Sequence, residues 1–261
     1  MVLSVMNLGK GGSGKSTLTA NMAPLLPTIV SGAKVLVINL DDNYNAQEIL
    51  AIPYEEVLLG IDDYLFGAAT REESTYHSKW YVDVMPVRDQ AQMDSGVPSE
   101  MKMRELVDEA RTNYDFIWLD ATASAKAWTV AATLAMADAV FIPVVPDHID
   151  TLAGAVKTLD RIRGVQTSRH GKPVIAGIIQ NMVKANSSHG LEGIRDTLAL
   201  GDMVQVFRWQ IRDFSSIEVA RSKGTPINWA SGPQAAEAAA AMKEIMWHWL
   251  SEQTDRRGQR R

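Results

Sequence analysis

The stretch Gly9-Lys10-Gly11-Gly12-Ser13-Gly14-Lys15-Ser16-Thr17 limits the possible folds more than any other part of the chain. It follows an apolar run, Val2 to Leu8, that reads as a buried strand, and it leads into Leu18 to Leu26, which reads as a helix. A glycine-rich loop between a strand and a helix is the setting of a phosphate-binding loop. Glycines let the backbone wrap tightly enough for its N–H groups to converge on phosphate oxygens. The helix starting near Lys15 brings a partly positive end to the same place. The cradle is therefore expected at Gly11, Gly12, Ser13, Gly14, Lys15, Ser16 and Thr17. Lys15 suits the β- and γ-phosphates, and the Ser16 hydroxyl suits Mg²⁺.

Two acidic strand ends complete this picture. Lys34 to Leu40 is a second continuous apolar run, followed by Asp41-Asp42-Asn43. A strand with no polar alternation is buried on both faces, as in a parallel sheet covered by helices. Carboxylates at the carboxyl end of such a strand face the crevice in which open α/β sheets bind ligands. Asp41 also fits a helix N-cap, and the two roles are compatible. Further on, the apolar run Phe116 to Leu119 ends in Asp120. That is the pattern of a strand whose carboxylate holds Mg²⁺ through water.

Lys10 narrows the class. Residues 10–16 spell Lys-Gly-Gly-Ser-Gly-Lys-Ser, which resembles the deviant Walker A motif of the ParA/MinD family of dimerising ATPases. The resemblance implies that Lys10 reaches the phosphates of a partner subunit; a surface lysine beside an anion site is the plainer alternative. It implies ATP and Mg²⁺ as ligands, with Lys10, Lys15 and Asp41 as the catalytic set and Ser16 and Asp120 at the metal. Relatives usually carry Asp-x-Asp-Pro-Gln where this chain has Asn39-Leu40-Asp41-Asp42-Asn43. The second aspartate is kept as Asp41, and Asn39 replaces the first. The proline that usually follows the later acidic strand end is absent from Ala121-Thr122-Ala123-Ser124. By the same resemblance Asn181 lies against the adenine edge, although a satisfied strand-end amide explains it equally well.

The remaining chain alternates strands and helices. Strands are expected at Trp80–Val87, Ala139–Val145, Val174–Met182 and Val204–Ile211. Helices are expected at Ser99–Thr112, Ala125–Ala137, Thr151–Arg163, Ser188–Leu200 and Pro233–Leu250, with a short amphipathic piece within 61–77 and a loop over Gln90–Pro98. This order predicts an α/β, doubly wound, mostly parallel sheet with helices on both faces, forming one domain over residues 1–252. Residues 253–261 read as a basic, disordered tail. Met242, Ile245, Met246 and Trp249 form a stripe on the last helix that suits core docking better than membrane insertion.

With no cysteine in 261 residues, disulfides and thiolate-held clusters are excluded. The most apolar region, Thr129 to Val145, contains Asp138 and Pro143 and is no membrane span. With the first strand starting at once and no leader read, a cytoplasmic, nucleoid-associated protein is expected. The net charge is −5, yet residues 181–261 hold 11 basic and 9 acidic side chains. Arg212, Arg221 and Lys223 cluster there and form either a DNA-contacting patch or a solvated basic face. The resemblance implies a partition ATPase: a homodimer with ATP that binds DNA non-specifically and works with a ParB-like partner. A membrane-cycling ATPase of the MinD type and a nucleotide-gated scaffold with negligible hydrolysis are the alternatives.

Overall fold

The computed structural model describes residues 1–9, 11–41, 43–89, 93, 100–124, 127–187, 190–198 and 204–258. Eight strands form one sheet: β1 (Val2–Val5), β2 (Val35–Leu40), β3 (Tyr76–Ser78), β4 (Val82–Met85), β5 (Phe116–Ala121), β6 (Ala139–Val144), β7 (Val174–Val183) and β8 (Val206–Arg212). Their order across the sheet is β3-β4-β2-β5-β1-β6-β7-β8. Every neighbouring pair is parallel except β3 with β4. The helices are α1 (Lys15–Met22), α2 (Leu26–Ile29), α3 (Asn45–Ile49), α4 (Ile61–Leu65), α5 (Glu100–Asn113), α6 (Trp128–Met136), α7 (Ile149–Gln166), α8 (Leu191–Thr197), α9 (Ser215–Ser222) and α10 (Pro233–Gly258).

The two-residue period of a strand sorts the core into layers. On β2, Val35 and Val37 face one cluster, while Leu36, Ile38 and Leu40 face the other. Phe116 and Trp118 part from Ile117 and Leu119 on β5 in the same way. One face is covered by α1, α2, α3 and α10, and the other by α4, α5, α6 and α7. The first layer holds a row of aromatic side chains. Phe141 lies between Trp118 (6.0 Å) and Phe207 (6.1 Å), and Trp249 of α10 meets it edge-on at 5.2 Å. Gly177 makes room for this row, because a Cβ there would stand 2.6 Å from the Phe207 ring. The stripe Met242, Ile245, Met246 and Trp249 is buried against this layer, so its apolar groups are core.

The sequence reading also missed the short helices α3 and α9, and three further features differ from it. Tyr76–Ser78 forms an antiparallel edge strand that its own sequence gives no sign of; pairing with β4 makes it. The last helix runs on to Gly258, past the expected end at Leu250 and into the expected coil tail. Nothing between these points breaks a helix, and the Ser251 and Thr254 hydroxyls donate back to the carbonyls of Trp247 and Leu250. The helix expected over 188–200 is confined to Leu191–Thr197 among the described residues. Apart from Met93, the loop expected at Gln90–Pro98 lies outside those residues, as does the end of the chain from 259.

Candidate functional site

In strand order the chain moves outward from β1 to β2 and β4, returns to β5 beside β1, and then crosses to β6. This reversal leaves the carboxyl ends of β1, β5 and β2 around one crevice, the usual ligand position in such sheets. The loop after β1 runs into α1 there. Gly12 and Gly14 have φ of 101° and 82°, in the left-handed region that glycine enters at little cost. Gly11 and Gly12 are exposed, Ser13 is fully buried, and Lys15 and Ser16 are 7% and 9% exposed at the start of α1. Thr17 is half-buried one residue further along the helix. Lys10 lies outside the described residues.

The loop is braced from two sides. Asn181, at the end of β7, donates from Nδ2 to the Ser13 carbonyl at 2.9 Å. It presses so closely on Gly14 that no side chain would fit there. One amide donor of Asn181 is thus engaged by the loop itself. On the other side Gly9 packs on Gly154 of α7: a Cβ on Gly9 would stand 2.7 Å from the Asp150 carbonyl and 3.2 Å from the Gly154 Cα. The Leu8 N–H donates to Thr158 on the same helix at 2.9 Å. Asn7 fixes the junction by donating to the carbonyls of Pro143 (2.7 Å) and Thr151 (2.8 Å). None of these partners is near the loop in sequence. Within α1, Asn21 donates to the Thr17 carbonyl and accepts from the Ile227 N–H, tying the helix to the C-terminal part of the chain.

The strand-end carboxylates converge below the loop. Asp120 is fully buried, and its Oδ1 accepts from Thr19 of α1 at 3.4 Å. Its Oδ2 has no hydrogen-bond partner among the described residues. Burial, reinforced by the charge of Asp41, raises the Asp120 carboxyl to about 7, against the opposing pull of Ser16, Lys15 and Thr19. A buried carboxylate oxygen with no hydrogen-bond partner is open to a cation or a water. The donor set is oxygen only (the Ser16 hydroxyl and the Asp120 and Asp41 carboxylates), which suits a hard ion such as Mg²⁺. The residues therefore fit the metal. The contact of Thr19 with Asp120 escaped sequence reading, because a threonine inside a helix carries no such signal.

Asp41 is 4% exposed at the end of β2 and accepts the Asn43 N–H at 3.0 Å and its amide at 2.7 Å. Asn39 is fully buried. Its Oδ1 accepts the Asp41 N–H at 3.0 Å, and its Nδ2 donates to Gln47 Oε1 at 2.8 Å. Gln47 Oε1 also accepts the Val87 N–H at 3.0 Å. Asn39 thus joins β2, α3 and the end of β4 and holds the backbone that aims Asp41.

The three expected basic residues have different surroundings. Arg212 ends β8 with its guanidinium 5.8 Å from the Phe214 ring centre. Arg221 donates to Glu218 at 3.2 Å and to Asn45 at 2.6 Å, linking α9 to α3. Arg221 and Lys223 line a cleft of about 580 Å³ that also holds Glu48, Glu55, Glu56 and Glu218. No helix among the described residues is long and apolar enough to cross a membrane.

Comparison with known proteins agrees with this geometry. Residues 1–173 match the AAA domain family AAA_31. The sporulation initiation inhibitor protein Soj of Bacillus subtilis is 27% identical over 196 residues, which is 72% of this chain and 75% of Soj. The septum site-determining protein MinD of Synechocystis is 24% identical over 226 residues, 85% of this chain and 80% of that protein. Among solved structures, MinD from Pyrococcus horikoshii complexed with Mg-ADP superposes with a TM-score of 0.73 at 23% identity. That likeness covers 94% of this chain and 95% of the other. Apo McdA from Cyanothece gives a TM-score of 0.77 at 17% identity, covering 94% and 98%. With a phosphate loop on β1, buried aspartates ending β2 and β5, and these relatives, the chain belongs to the ParA/MinD family of deviant Walker A ATPases.

Proposed function

We propose that the chain binds Mg-ATP, dimerises on it and hydrolyses it slowly, acting as a partition ATPase on DNA with a ParB-like partner. The observation that carries this reading is the buried Asp120 carboxylate, with one oxygen unpartnered, beside Ser16 at the foot of a braced phosphate loop. The backbone N–H groups of residues 11–17 and the Lys15 ammonium would hold the phosphates. Ser16 would ligate Mg²⁺ directly and Asp120 through water; the ion, when bound, neutralises charge on the phosphate oxygens. Asp41, whose N–H is held by Asn39, would orient the attacking water without holding phosphate. Lys10 would reach the nucleotide of the second subunit. Contacts made only to the γ-phosphate then favour the dimer, and hydrolysis releases it.

For the DNA track, Arg212 and Lys223 offer cations, whereas Arg221 is engaged with Glu218 and Asn45. A scaffold that holds ATP with negligible turnover gains support from Asn39, an uncharged amide where relatives usually carry the first aspartate of this strand end. Sedimentation of the purified chain with ATP or ADP, with and without arbitrary duplex DNA, tests the proposal. A dimer with ATP alone, lost in Lys10→Ala, and co-sedimentation with DNA only in that state are expected. An association state indifferent to nucleotide would refute dimer switching. A dimer that ignores DNA would remove the DNA track and leave the switch.

A further inference from the structure

Helices α5, α6 and α7 leave a groove of about 1050 Å³ on the face of the sheet away from α10. Its floor is apolar, with Ala131 exposed and Ala135 and Val165 half-buried. Among the described residues around it stand Arg104, Lys157, Arg161 and Arg169, with the carboxylate of Asp160. Asp160 is paired with Arg163, at 3.5 Å. Such an excess of cations is a local feature, because the chain as a whole carries −5.

Three of these cations divide into two kinds. Arg169 is fixed, donating to the carbonyls of Leu134 (2.7 Å) and Ala137 (2.8 Å) at the end of α6. Lys157 and Arg161 sit one helical turn apart on α7, and both are exposed. A nucleic-acid backbone would satisfy such a rim but leave the apolar floor unfilled. A small anion would use neither the floor nor the separation between α5 and α7. A helical peptide with carboxylates flanking a few apolar side chains fills both.

We propose that this groove docks a partner protein through an acidic amphipathic segment, its carboxylates on Lys157 and Arg161 and its apolar side chains on the α6–α7 floor. The surface is distinct from the nucleotide site but joined to it. Leu8 lines the groove, and Gly154, on the same helix as Lys157 and Arg161, is the residue on which Gly9 rests.

The test needs no nucleotide. A displayed library of random peptides of about twelve residues, long enough for a three-turn helix, is selected against the full chain. Counter-selection uses the Lys157→Glu/Arg161→Glu variant. Enriched peptides are expected to be acidic, with two or more large apolar residues at helical spacing. In fluorescence anisotropy they should bind the charge-reversed variant at least about tenfold more weakly. Ala131→Trp, which fills the floor and keeps every charge, should weaken them similarly. Enrichment of neutral or basic peptides, absence of enrichment, or equal affinity for all three proteins would overturn the proposal. Duplex DNA binding that disappears in the charge-reversed variant, with no peptide selected, would reassign the groove to nucleic acid.

Discussion

Replacing Asp120 with Asn should stabilise the nucleotide-free protein while weakening its hold on Mg-ATP. In the folded chain the Asp120 carboxyl is raised from 3.8 to about 7 by burial and the nearby Asp41 charge. A carboxyl raised on folding gives its full stability contribution below its ordinary value and loses it as pH climbs to the folded value. The loss is therefore spread between about pH 4 and pH 7. At 1.36 kcal/mol per unit, a shift of about three units corresponds to about 4 kcal/mol as an upper bound. An asparagine still accepts from Thr19 but has no charge to bury, so roughly half that gain is a fair expectation, or about 4–8 °C in Tm. The sharper quantity is the pH dependence. Moving from about pH 8 to pH 5 should shift the balance between Asp120→Asn and the parent by up to about 3 kcal/mol towards the parent, cancelling or reversing the variant's lead, because the parent takes up its proton over that range. Urea denaturation at the two pH values, without nucleotide, measures both. Mg-ATP should then restore the parent's lead, since a ligand at a hundred times its Kd adds about 2.7 kcal/mol. A variant less stable than the parent by the same amount at both pH values would show that Asp120 carries no burial strain.

Three further outcomes follow from the geometry. Gly154→Ala should push Gly9 out of place, costing about 1–3 kcal/mol of stability; if part is relieved by moving the loop, ATP affinity measured by calorimetry should fall about tenfold. Asn39→Asp puts an acceptor against Gln47 Oε1, so chemical denaturation should show a loss of about 1–3 kcal/mol. The Asp138 carboxyl is pushed up by burial, but Lys172, the Val2 N–H and Arg111 outweigh this and hold it below its ordinary value. Its contribution is present above about pH 4 and lost as pH falls through the depressed value. Asp138→Asn should therefore destabilise by about 1–3 kcal/mol at neutral pH and progressively less in acid, as followed by thermal melts.

What the sequence revealed was whatever chemistry compresses into contiguous residues. The phosphate loop and the strand ends at Asp41 and Asp120 are legible because residue type, position and local element coincide within a few residues. Helix α5 is legible through Met103, Leu106, Val107 and Ala110, all buried. The bracing of the loop is not legible, since Gly9 on Gly154 and Asn181 on Ser13 are contacts between distant segments without a local pattern. Asn181 could be placed at the end of β7 from sequence, but its partner could not. The edge strand β3 exists through its pairing with β4 rather than through propensity. Arg221 reads as a free cation until folding brings Asn45 within 2.6 Å of it.

The docking of Trp249 on Phe141 bears on the order of events during synthesis. The layer holding Leu3, Val5, Trp118 and Phe141 is closed by α10, which leaves the ribosome after every strand of the sheet. Until then a nascent chain that already contains the whole phosphate loop shows a row of large apolar side chains on one side of its sheet. Such exposed surface invites chaperones and aggregation. Ile227, whose N–H meets Asn21 of α1, also emerges late. A ribosome stalled at residue 173, where the matched family region ends, would thus present the complete nucleotide motif on an unfinished core. Competence to bind nucleotide should arrive abruptly, once α10 has been made and docked.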